Sequence, residues 1–93
     1  GMTARPRLLF VTGKLAEPAL RRVLDDLAPR AGFEPHVAVL NITVAALMTT
    51  AWVARRLAVP EGTEKVILPG YCRGELDEVA AAAGVPVERG PKD

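Results

Sequence analysis

Three short segments hold the residues that could do chemistry: Thr12-Gly13-Lys14, Asn41-Ile42-Thr43 and Pro69-Gly70-Tyr71-Cys72-Arg73-Gly74. Each follows an apolar run (RLLFV, HVAVL and KVIL) and each leads into a stretch with helical periodicity. Thr12-Gly13-Lys14 has the makings of an anion cradle. Its glycine admits a close ligand, the free N–H groups of a helix start lie just beyond, and Lys14 adds positive charge. Neither the GxxxxGK[ST] phosphate loop nor the GxGxxG dinucleotide fingerprint is present, so nucleotide specificity is not expected. A tight strand-to-helix turn would call for the same glycine.

The segment from Pro69 to Gly74 is the densest. Cys72 near a helix N-terminus, with Arg73 beside it, would have a lowered thiol pKa and favour the thiolate. Phosphatase chemistry needs an arginine six positions after the cysteine to grip the phosphoryl oxygens, and Glu78 stands there instead. Cys72 is the sole cysteine, which leaves no disulfide, no redox pair and no thiolate cluster for a metal. The competing reading has Cys72 as a small packing residue and Arg73 as a surface charge. Asn41 could meet a ligand at the middle segment, or with Thr43 cap the helix that follows. His36 has no second histidine or cysteine near it, so no metal site is expected. The carboxylate pairs Asp25-Asp26 and Asp77-Glu78 fall on helix surfaces away from these segments, which argues against general acid–base roles.

The elements that must position these residues follow from the apolar pattern. Arg7–Val11 reads as a strand buried on both faces. Pro18 suits a first helical turn, and Leu20, Val23, Leu24 and Leu27 form the core-facing stripe, with Arg21, Arg22, Asp25 and Asp26 opposite. Pro29 and Gly32 close that helix. His36–Leu40 is the second strand. Val44–Met48 can begin a helix, while Thr49-Thr50 resembles a cap for a fresh one over Ala51–Leu57; Leu47, Met48, Trp52, Val53 and Leu57 supply the buried side. After a turn at Pro60–Thr63, Lys65–Leu68 is the third strand. Leu76, Val79, Ala80 and Ala83 stripe the last helix, which Gly84 stops. Val85–Glu88 is a fourth strand, placed at an edge by Pro86.

Strand–helix alternation with short connections predicts a small Rossmann-like or flavodoxin-like α/β unit. It would have three layers and a four-stranded parallel sheet of order 2-1-3-4, with right-handed crossovers. All three segments then emerge at the carboxyl edge of the sheet, where open α/β folds hold their ligands.

The chain has 93 residues, enough for one small domain spanning 7–93 after a lead-in at 1–6 whose Gly1-Met2 resembles a tag scar. Its abrupt stop after the fourth strand suggests a fragment of a longer protein. A quarter of the residues are charged and the formal net charge is +1, with both signs interspersed. No basic stripe interleaved with aromatics appears, so nucleic acid is not an expected partner. No apolar stretch approaches membrane-spanning length and no signal peptide is visible, which makes the cytoplasm the expected location.

At FVTGKLAEPALRRVL, VAALMT, VILPGYCRG and PVERGPKD the chain resembles a known N-terminal domain of uncharacterised function. It is similar to the segment that precedes the pterin-binding barrel in dihydropteroate synthase-related proteins. Those belong to tetrahydromethanopterin-linked one-carbon metabolism in methanogenic archaea and some bacteria. The resemblance covers the chain after Pro6 and implies a missing C-terminal barrel as its partner. That barrel would bind the pterin and carry most of any catalysis, with no cofactor in this domain. Thr12, Gly13, Lys14, Gly70, Tyr71, Cys72, Arg73, Gly90, Pro91 and Lys92 fall in the recurring blocks, without a transferable catalytic role. Thr50 stands where the family's M-T-P pattern has proline.

Three readings follow. The first is a non-catalytic accessory domain that helps bind a small molecule or position the barrel, using Thr12, Gly13, Lys14, Asn41, Gly70, Tyr71, Cys72 and Arg73. The second is a small enzyme half-site built on Cys72, Lys14 or Tyr71. The third is a structural docking or homodimerisation module.

Overall fold

The computed structural model describes residues 5–92, so the proposed tag scar at Gly1-Met2 lies outside the described residues. The chain runs β1 (Arg7–Thr12), α1 (Glu17–Ala31), β2 (Glu34–Val39), a single 3₁₀ turn (Ala45–Leu47), α2 (Thr50–Arg56), β3 (Thr63–Leu68), α3 (Leu76–Ala83) and β4 (Val87–Arg89). The sheet has the order β2-β1-β3-β4 and every pairing is parallel. This is the α/β unit that the apolar runs predict.

Alternation along the central strands feeds two cores. Leu9 and Val11 of β1 face one side with Val66 and Leu68 of β3, packed against Met48, Val53, Cys72 and Val79 beneath α2 and α3. Leu8 and Phe10 face the other side, where α1 lays Leu24 and Ala28 over Phe33 and Val37. With α1 alone on one face and α2 and α3 together on the other, the fold has three layers. Crossovers of a single hand give this arrangement when the chain reverses direction at β1. No helix among the described residues is long and apolar enough to cross a membrane.

Several local expectations shift. The α1 stripe is rotated: Leu24 and Ala28 are buried, whereas Val23 and Leu27 are exposed. Pro29 lies inside the last turn of α1 rather than ending it, and Gly32 alone provides the left-handed stop at φ 79°. The exposed face of α1 pairs Glu17 with Arg21 and Asp26 with Arg30. Thr49 does cap α2, its Oγ1 accepting from Trp52 N at 3.2 Å. The segment before it forms only the 3₁₀ turn, which leaves Leu47 exposed while Met48 is fully buried. The fourth strand begins after Pro86 and extends to Arg89, so it occupies the edge with its proline outside the ladder.

Candidate functional site

The three chemistry-bearing segments do gather at the carboxyl edge, because the three strands that deliver them run parallel. The backbone between β2 and α2 then stitches them together. Lys14 N donates to Ile42 O at 2.8 Å and Leu15 N to Thr43 O at 3.1 Å, while Leu40 N donates to Thr12 O at 2.9 Å. Farther along, Thr50 N donates to Arg73 O at 2.8 Å and Arg73 N to Met48 O at 3.4 Å. One connection therefore holds both outer segments.

This stitching changes the role of the first segment. The N–H groups of Lys14 and Leu15, which could have met an anion, are spent on the neighbouring loop. A Cβ on Gly13 would lie 2.6 Å from Ile42 O, so the glycine admits another strand of backbone rather than a ligand. Thr12 is buried beneath it, and Lys14 is exposed. Asn41 is exposed as well and caps no helix: the 3₁₀ turn has no side-chain cap and α2 is capped by Thr49.

The third segment is where a hollow forms. Gly70, Tyr71, Cys72, Arg73 and Gly74 line a hollow of about 490 Å³ together with Arg89 and Lys92. Four of the eight sequence candidates thus come together, and Thr12, Gly13, Lys14 and Asn41 do not line it. The loop turns on a Cys72 N to Pro69 O hydrogen bond of 3.0 Å. The chain after β4 crosses beside it, with Gly90 N donating to Leu68 O at 2.8 Å. A Cβ at Gly70 would meet Pro91 O at 2.5 Å and Gly90 O at 2.8 Å, so only glycine lets the last strand's exit lie this close.

Arg89 is the residue that pattern reasoning missed. From the end of β4 its Nε donates to Cys72 O at 2.7 Å, and its Nη2 donates to Gly74 O. The fork spans the loop and ties both carbonyls to the end of β4, as a guanidinium with several donors can do. The sequence signal was faint: a single arginine at a strand end, separated from its partners by 17 and 15 positions.

Cys72 departs from the reactive-thiolate expectation. Its side chain is 2% exposed in the core beneath α2 and α3. Burial pushes the thiol pKa up, against a smaller downward pull from the Arg89 guanidinium. The thiol is therefore held protonated, unlike an activated nucleophile. The fold retains this proton more firmly than the unfolded chain does, so the associated stability is complete below the ordinary thiol value of 9.0 and is lost as pH rises beyond it. Denaturation midpoints measured between about pH 8 and 10 should fall more in the native chain than in Cys72→Ala. An equal fall in both chains would show that Cys72 is not the group responsible.

The opposite, amino-terminal edge is different in kind. A smaller hollow of about 330 Å³ there is lined by Leu24, Ala28 and Phe33 with Arg5, Asp25 and Glu34, an apolar floor with charges of both signs. Glu34 accepts from or pairs with His36 Nε2 at 2.6 Å and Arg7 Nε at 3.1 Å. The His36 contact, more than Arg7, holds the Glu34 carboxyl below its ordinary pKa.

No curated protein matches this chain. The model of a family of unknown function (DUF6513) matches residues 6–92, nearly the whole chain, and the protein belongs to that family.

Proposed function

We propose that this chain is a non-catalytic accessory domain of a dihydropteroate synthase-related, pterin-binding protein of tetrahydromethanopterin-linked one-carbon metabolism. In this reading it works in the cytoplasm beside a C-terminal barrel that binds the pterin, and it contributes to ligand binding or domain positioning through its carboxyl edge. The family setting rests on the four sequence blocks that carry the resemblance. The observation that favours a binding or positioning role is the hollow at Gly70–Gly74, where a rigidly held loop presents Tyr71 and Arg73 beside Arg89 and Lys92. Burial and protonation of Cys72 weigh against an enzyme half-site built on that thiol.

A docking role draws on a separate observation. Val23 on α1 is 58% exposed and Leu27 is 40% exposed, on a helix that buries Leu24 and Ala28. Both readings make this domain an adjunct rather than a catalyst.

The test compares the intact protein with and without residues 7–92, titrated against pterins and their phosphorylated precursors. Removal of the domain is expected to weaken binding of at least one of them or to loosen the assembly. Unchanged affinity and unchanged assembly would overturn the proposal.

A further inference from the structure

The hollow at the carboxyl edge is unbalanced in charge. Arg73, Arg89 and Lys92 line it, and among the described residues no Asp or Glu does. None of the ion pairs among the described residues takes in any of these three cations. Glu75, Asp77 and Glu78 open α3, and Glu88, next to Arg89, pairs with Lys65 at 3.6 Å; none of the four lines the hollow. In a chain whose formal net charge is +1, three cations around one hollow form a local concentration that the composition conceals.

Arg89 makes the point sharper. It is held by the neutral carbonyls of Cys72 and Gly74, which fix its position and leave its charge uncompensated. Of its five N–H donors, two are engaged and three remain. Tyr71, exposed at the rim, adds a hydroxyl that can donate.

We infer that this hollow binds the phosphoryl or diphosphoryl group of a small ligand, with Arg73, Lys92 and the free N–H groups of Arg89 as its cationic contacts and Tyr71 as a hydrogen-bond donor. A single carboxylate would leave two of the three charges unmatched, whereas a diphosphate carries enough charge to meet them all. A volume of about 490 Å³ accommodates such a group with part of the molecule that bears it. The inference deepens the accessory-domain reading and rests on it for the ligand's biological source.

Calorimetric titration of the chain with inorganic pyrophosphate at low salt, with acetate as the carboxylate control, tests the assignment. Pyrophosphate is expected to bind and acetate to show no saturable heat. Arg73→Gln and Lys92→Gln should each weaken binding roughly tenfold, as loss of a charge-assisted hydrogen bond implies. Arg22→Gln, an equal charge change on the surface of α1, should leave the affinity unaltered. Arg89→Lys keeps the charge without the fork, and should bind more tightly than Arg89→Gln but less tightly than the native chain. No binding of pyrophosphate, or the same loss in Arg22→Gln as in Arg73→Gln, would overturn the phosphoryl site. That failure would be distinct from failure of the accessory reading, which is judged by deleting residues 7–92 from the intact protein.

Discussion

Gly74→Ala is expected to destabilise the fold by about 3 kcal/mol or more, combining backbone strain with overpacking. Gly74 has φ 117°, a conformation that side-chain-bearing residues rarely adopt. A Cβ placed on it would run into Thr50 Oγ1. Thr50 cannot retreat, because it is 1% exposed and its N–H is fixed to Arg73 O at 2.8 Å. Gly84 provides the contrast: at φ 72° with nothing within 4 Å of its would-be Cβ, it carries only the conformational part of the cost. Gly84→Ala should therefore cost about 1 kcal/mol. Denaturant unfolding of the two variants measures the difference, and Thr50→Ala should restore part of the stability lost in Gly74→Ala. Equal effects at the two glycines would show that the contact with Thr50 does not constrain the loop.

Met48→Ala should cost about 3 kcal/mol, while Leu47→Ala next to it should change stability by no more than about 0.5 kcal/mol. Met48 is 0% exposed in the core formed by β1, β3, α2 and α3, and its carbonyl accepts from Arg73 N. Truncating it leaves a cavity directly behind the loop that forms the hollow. Leu47 is 66% exposed at the end of the 3₁₀ turn and has little burial to lose. Unfolding midpoints separate the pair. Similar losses at both positions would mean that the turn packs Leu47 inward in solution.

These neighbours also mark where sequence reading reaches its limit. Apolar type places both on the buried side of a helix, and only the break between the 3₁₀ turn and α2 sends them in opposite directions. The same limit appears in α1. Spacing fixes which residues share a face, but the helix's lateral position over β2 decides that Leu24 and Ala28 are covered and Val23 and Leu27 are not. The sheet was far more legible. Apolar runs of strand length, separated by helical periods and short connections, leave few alternatives to a parallel sheet, and Pro86 marks the edge.

At the site, the sequence located the loop without disclosing its architecture. Gly13 and Gly70 show why. A glycine that admits a ligand and one that admits a crossing strand look identical in sequence, and here the nearby atoms are Ile42 O and Pro91 O. The grip of Arg89 on Cys72 and Gly74 depends on the register of β4 against β3, where Leu68 stands opposite Arg89. A strand beginning at Val85 gives no reason to place that guanidinium under the loop.

The most direct measurement is a map of backbone amide shifts as pyrophosphate is added to the isotope-labelled chain. If the carboxyl-edge hollow is the working surface, the shifts should concentrate at Gly70–Gly74 and at Arg89, Gly90 and Lys92. Shifts centred on the opposite hollow near Phe33 and Glu34, or spread along the arginines of α1, would contradict it.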